Sequence, residues 1–252
     1  GADLSNTNLS GTDLSGKDLS GTVLTGAELS GTDLTGTILT GVDLSKSDLT
    51  GVDLTETTLT GANLASAILL DADLTGVDLT GANLSGADLT GNDLTGTILT
   101  GVSMPYSILS DVDLAGKDLS GTNLSGADLS NVILTGSDLT GTDLSNAILA
   151  GADLTGVDLG ETNLTEADLT GSDLTKTILT GSLLSRANLA GTDLSGTIIS
   201  GVDLSNVLMA ETDLSGKDLT GTVLTGADLS NTNLSGTDLS GKDLRGEVLT
   251  GA

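Results

Sequence analysis

One five-residue phrase repeats along the whole chain, and Gly11-Thr12-Asp13-Leu14-Ser15 is a typical copy. Cut from Gly1, the 252 residues fall into 50 such pentads and a trailing Gly251-Ala252, with no insertion or deletion to break the phase. Leu holds the fourth place in 47 of the 50 pentads. The exceptions, Met104, Ile199 and Met209, are apolar and similar in volume. So short and strict a period confines the chain to a solenoid, in which each repeat packs on its neighbours over one continuous core.

The other places of the pentad define its geometry. Two places before the Leu, 44 of 50 residues are Ala, Thr, Ser or Val. A small residue and a Leu two apart share one side of an extended segment. The residue between them, mostly Asp or Asn, points the other way. Ser or Thr follows the Leu, then usually Gly, which suits a type II turn with positive φ at its third residue. Where Gly is missing, Asn6, Asp71, Asp111, Asn131, Asn146, Asn206 and Asn231 tolerate that φ best. Lys46, Glu56 and Lys176 do not, so a second turn geometry is expected there. A helix is disfavoured by Gly in every turn, at about 1 kcal/mol each, and collagen needs Gly every third residue.

Composition closes off several function classes. Phe, Trp, His and Cys are absent, and Tyr106 is the single aromatic residue. The core is therefore narrow and filled by one residue type, and no disulfide or thiol chemistry is available. Eight basic against 35 acidic residues give a net charge of −27. That charge opposes direct binding to nucleic acid phosphates or to anionic membrane. No apolar run approaches the roughly 20 residues of a membrane span, so membrane insertion is not expected. No stretch reads as a targeting segment. Gly1 in place of an initiator Met points to a processed chain or a piece of a longer one. Ser and Asp occur at every corner without a distinguishing environment, and no phosphate-binding loop exists, so the chain reads as no enzyme and takes no organic cofactor.

Tandems such as Gly86-Ala87-Asp88-Leu89-Thr90 resemble the A(D/N)LXX repeats of the pentapeptide-repeat family along the whole chain. The resemblance implies an all-β fold, a right-handed quadrilateral parallel β-helix with four pentads to a coil. Residues 1–252 would form a single uninterrupted solenoid of about 12.6 coils, without caps. At ~4.8 Å between stacked strands, the rod would be roughly 60 Å long.

On that reading residues twenty apart stack on one face. One face carries Asp13, Asp33, Asp53, Asp73, Asp93 and Asp113, and later Asp153, Asp173, Asp193 and Asp213. At ~5 Å in water each neighbouring pair repels by about 0.8 kcal/mol before screening. Bound cations, raised pKa values or backbone hydrogen bonds are expected to offset this. Oxygen ligands suit calcium, which makes those six Asp residues a candidate cation ladder, although a flat row of single carboxylates is not a closed site. A second face alternates Ile68, Ile108, Ile148 and Leu208 with acidic or Asn residues. A third carries Ile38, Ile98, Ile178 and Ile198. These aliphatics should point outward, either because β-branched residues favour strands or as a lateral packing surface. A fourth face is mixed, from Asp3 to Leu183.

Two irregularities remain. Pro105, in Met104-Pro105-Tyr106, fits the second place of a turn. Lys17, Lys117, Lys217 and Lys242 occupy the inward small-residue place, the first three 100 residues apart. A buried, unpaired ammonium costs several kcal/mol. The side chain should therefore escape through a corner to a carboxylate, or form a buried Lys–Asp pair. At a longer range, residues 226–252 repeat residues 1–27 with changes only at Ser20/Arg245 and Thr22/Glu247.

Neither end carries a capping stretch, so two open, β-edged ends are expected. With the outward aliphatics, this points to a structural protein whose partner is itself, stacking end to end and laterally into a fibre or surface assembly, at a cell surface or outside it. The alternative is a cytoplasmic DNA mimic that occupies a DNA-binding enzyme such as DNA gyrase, as some members of the family do. The −27 charge fits that role. The absent Phe, and the lack of loop insertions or a specialised C-terminal segment, depart from it.

Overall fold

The computed structural model describes all residues 1–252. Its unit is the corner. The N–H of the second pentad residue donates to the Leu carbonyl three residues earlier, as Ala27 does to Leu24 at 3.0 Å. From Asn6 to Gly251 every residue that opens a pentad has φ between 55° and 86°. This is the type II turn expected from the sequence, four times in each twenty residues.

The expected second geometry at Lys46, Glu56 and Lys176 does not occur. Their φ values are 59°, 60° and 62°, the same as their glycine counterparts. Ser66, Tyr106, Glu161, Glu166, Arg186 and Glu211 share it. Left-handed backbone costs a residue with a Cβ roughly 1–2 kcal/mol. The corner offsets that cost by closing two hydrogen bonds. At Lys46, the N–H meets the Ala65 carbonyl at 2.8 Å, and Ser47 N–H closes the turn on Leu44 at 3.1 Å. Residue preference at one corner yields to the register of the whole coil. Pro105 takes the second turn position as expected, and its carbonyl accepts from Gly86 N–H at 2.8 Å.

Between corners the chain is extended for one paired residue at a time. Most such residues bridge in parallel to the residue twenty later, as Asp48 does to Ile68 and Ile68 to Asp88. Leu24 N–H donates to Asp43 O at 2.7 Å, Gly26 to Ser45 at 2.8 Å, and Asp48 back to Ala27 at 3.0 Å. The result is a β-helix-type solenoid without any helix, built from rungs too short to be continuous strands.

The fourth-place residues fill the interior. All of them from Leu24 to Leu229 are buried, Met104, Ile199 and Met209 included. Each burial contributes roughly 1.5–3 kcal/mol. Most inward Thr and Ser hydroxyls lie in this apolar column and donate to its carbonyls, while those of Thr122 and Ser172 find no partner. Ser47 donates to Leu44 O at 2.6 Å, three residues back, and Thr97 to Leu74 O at 2.8 Å, twenty-three back.

Candidate interaction surface

The outward residue of each pentad begins with a local task. Ser15 N–H donates to Asp13 Oδ1 at 3.0 Å, and the Ser15 hydroxyl to the same oxygen at 2.6 Å. The pattern recurs at Asp48 with Thr50, at Asp88 with Thr90 and at Asp203 with Ser205. It is an Asx turn that locks the approach to the corner. The preference for Asp or Asn before the Leu therefore has a backbone cause. The signal is present in the Asp-Leu-Ser/Thr order, but alternation alone assigns the Asp only to the surface.

The same bonds answer the repulsion along the carboxylate face. Raised pKa values are one expected remedy, and the shifts run the other way. Asp13, Asp93, Asp193 and Asp213 are held below the usual carboxylate range, first by the hydroxyl and then by the N–H of the residue two places on. The hydroxyl and the N–H at the corner together stabilise the charge where it stands. No three acidic side chains converge on one point to hold a metal ion.

The faces differ in how well their rungs close. On the alternating face every rung from Asn8 through Ile68, Ile108, Ile148 and Leu208 to Val248 is formed. The carboxylate face keeps Asp13–Asp33, Asp53–Asp73 and Asp73–Asp93, but no bridge joins Asp33 to Asp53, Asp93 to Asp113 or Asp193 to Asp213. On the mixed face the Asn side chains add their own ladder. Asn63 Nδ2 donates to Asp43 Oδ1 at 3.0 Å and Asn83 Nδ2 to Asn63 Oδ1 at 3.1 Å.

Of the outward aliphatics, Ile38, Ile68, Ile98, Ile108, Ile148, Ile198 and Leu208 are exposed, whereas Ile178 is half-buried. Ile133, Leu183, Val223 and Val248, outside that candidate set, are exposed as well. Leu183 is 59% exposed and sits above an open rung to Asp203, beside a cavity of about 290 Å³.

The inward lysines find neither of the carboxylate partners expected for them. The two ion pairs of the molecule, Arg186–Glu166 and Arg245–Asp243, involve none of them. Lys117 Nζ donates instead to the backbone carbonyls of Leu94 and Thr97, the second at 3.1 Å. Lys217 and Lys242 use the equivalent pairs, Leu194 with Thr197 and Leu219 with Thr222. Carbonyls serve because the inward direction leads along the coil edge, where acceptors are dense.

A stack of twenty-residue coils, cornered by type II turns and filled by a Leu column, defines a pentapeptide-repeat solenoid. The chain belongs to this family: the family description "Pentapeptide repeats" matches it in eight copies, over segments that together run from residue 2 to residue 241. Among solved structures it is similar to HetL, a pentapeptide repeat protein involved in heterocyst differentiation regulation from the cyanobacterium Nostoc sp. strain PCC 7120. The identity is 32% over 82% of this chain and 89% of that one, with a TM-score of 0.37. It is similar to the pentapeptide repeat protein Rfr23 from the cyanobacterium Cyanothece 51142, at 28% identity over 42% of this chain and 89% of the other, with a TM-score of 0.33. QnrB1, a plasmid-mediated fluoroquinolone resistance protein, is 19% identical over 80% of this chain and 91% of its own, with a TM-score of 0.28. No curated protein matches the chain significantly.

Proposed function

We propose that the chain is a non-enzymatic structural protein, a right-handed acidic solenoid of about 12.6 coils whose rods join laterally and end to end into a fibre or surface assembly. The alternating face carries this reading. Ile68, Ile108, Ile148 and Leu208 stand 38–45% exposed along the face whose rungs are complete. Each gives up the Asx hydrogen bonds that an Asp would make there, worth about 0.5–1.5 kcal/mol apiece. Strand preference alone is a small return for that loss. A column of aliphatics about two coils apart on a straight face is suited to burial against another rod. The recurrence of residues 1–27 at 226–252 supports the longitudinal half of the reading, since one coil chemistry recurs at both places. Electron microscopy of the wild type and of a variant carrying Ile68→Asp, Ile108→Asp and Ile148→Asp tests it. Bundled rods are expected from the wild type and separated ones from the variant. Dispersed short particles from concentrated wild type, with and without calcium, would end the proposal.

A second reading is favoured by the carboxylate face itself, where Asp follows Asp from Asp13 to Asp113 on a chain of net charge −27. Such a row would occupy the DNA groove of an enzyme such as gyrase. A supercoiling assay decides: unaltered gyrase activity at micromolar rod removes this reading. Calcium on the ladder from Asp13 to Asp113 would act as a bridging counter-ion rather than a caged one. A melting temperature indifferent to chelator would eliminate it.

A further inference from the structure

Three of the four inward lysines sit at the same kind of defect. Beside Lys117 the bridges Asp93–Asp113 and Ile98–Asp118 are both missing. Beside Lys217 the missing pair is Asp193–Asp213 and Ile198–Asp218, and beside Lys242 it is Asp218–Asp238 and Val223–Asp243. Elsewhere the ladder loses only isolated rungs, at Asp33–Asp53, Asp138–Asp158 and Leu183–Asp203. The rungs to the following coil are intact at Lys17, Asp13–Asp33 and Asp18–Ile38, and at Lys117, Asp113–Ile133 and Asp118–Asp138. The defect always opens on the side to which the ammonium reaches.

The acceptors explain it. In an intact rung the N–H of the outward residue donates to the carbonyl twenty-one residues earlier, as Asp138 N–H does to Lys117 O at 2.9 Å. By that rule Asp118 N–H belongs to Thr97 O, the carbonyl that Lys117 Nζ occupies. Lys217 takes Thr197 O from Asp218, and Lys242 takes Thr222 O from Asp243, in the same way. The lysine stem fills the corner between two faces, so the preceding rung parts as well. A crevice of about 480 Å³ lies at Lys117, lined by Asn92, Asp93, Asp111 and Asp113 among others. Another, of about 520 Å³, lies between Lys217 and Lys242. The side-chain oxygen of buried Asn92 has no partner, in keeping with a seam that has come apart.

We propose that Lys117 and Lys217 are wedges: each draws a ladder carbonyl onto its ammonium, holds open a two-face seam, and divides the rod into five-coil segments that bend and open first at these joints. A threonine at the same place does not open the seam. The Thr142 hydroxyl donates to Leu119 O, the acceptor equivalent to Leu94 O. Thr122 O stays free to accept from Asp143 N–H at 3.0 Å, and the rung Asn123–Asp143 is formed.

Hydrogen-exchange mass spectrometry on the intact chain tests the proposal. In Lys117→Thr, peptides spanning residues 92–101 and 112–120 are expected to exchange roughly tenfold more slowly than in wild type, with a higher melting temperature. Lys217→Thr should do the same for residues 192–201 and 212–220. Lys46→Thr, at an exposed corner, should leave all four segments unchanged. Asp113→Asn distinguishes the wedge from simple repulsion between Asp93 and Asp113, because it keeps the lysine. Unchanged exchange in Lys117→Thr, a variant that fails to fold, or full protection from Asp113→Asn would each overturn the proposal.

Discussion

The alternating face and the carboxylate face are built from the same pentad, yet one closes every rung and the other leaves gaps. The turns, the Leu column and the inward small residues are common to both. What differs is the residue that points out. On the alternating face an aliphatic separates most acidic residues, and the pair Glu28–Asp48 is the one place where two meet. On the carboxylate face Asp follows Asp for five coils from Asp13 to Asp113. About 0.8 kcal/mol of repulsion per pair in water is comparable to the net worth of a backbone hydrogen bond, about 0.5–1.5 kcal/mol. Rungs on that face are therefore close to balance: Asp33–Asp53 is open with no lysine beside it, whereas Asp93–Asp113 and Asp193–Asp213 are open beside Lys117 and Lys217. The Asx bonds fix each carboxylate to its own corner in closed and open rungs alike, as at Asp33 and Asp53. A solenoid thus distributes its stability by face as well as by coil.

The largest effect should be insensitive to face. Leu129→Ala lies behind the alternating face and Leu114→Ala behind the carboxylate face, and both side chains are fully buried. Each is expected to cost about 2–5 kcal/mol in urea unfolding. A cost for Leu129→Ala several times that for Leu114→Ala would move the asymmetry from the ladder into the core and break the comparison. Acid titration comes next. The folded pKa values of Asp13, Asp93, Asp193 and Asp213 lie below the ordinary 3.8 of a free Asp. Their contribution is then present above the unfolded pKa and lost as pH falls through the folded one. The melting temperature should fall as pH drops below about 4. A rise there would mean that repulsion outweighs the Asx bonds.

Charge removal sharpens the contrast further. Asp53→Asn keeps the Asx acceptor and removes one charge from the open Asp33–Asp53 pair. It should stabilise by up to about 1 kcal/mol at low salt and by less at high salt. Asp88→Asn, between Ile68 and Ile108, should change stability by less than about 0.5 kcal/mol. Equal effects at the two sites would dissolve the distinction between the faces. The smallest signal is alkaline. Burial pushes the Lys117 and Lys217 ammonium groups down, against the pull of Asp93 with Asp113 and of Asp193 with Asp213. A lowered folded pKa means that stability rises with pH from that value toward 10.5, the unfolded reference. The Lys117→Thr, Lys217→Thr double variant should lack this rise in a pH series of thermal melts.

Much of the surface is legible in the sequence because the period is unbroken. Ile68 and Ile108 share a face by counting alone, once four pentads make a coil. The corner at Gly41 is legible for the same reason, since Gly after Leu-Thr has one good use. Lys46 and Glu56 mislead because residue preference is local, whereas the left-handed corner is imposed by the coils on either side. The lysines stand out as misfits, but their partners do not. Counting gives the face of Lys117. It does not give the direction in which a flexible four-carbon stem leans, or that Thr97 O lies within its reach.

The sequence by itself determined the turn, the inward column and the division of the chain into faces, because each follows from a pentad repeated in phase and from side-chain alternation. Only the tertiary structure decided which rungs close and where Lys117 and Lys217 find acceptors. Those outcomes depend on near-equal energies, like-charge repulsion against a hydrogen bond and an ammonium against an amide for one carbonyl, and such competitions are settled only when the coils are stacked.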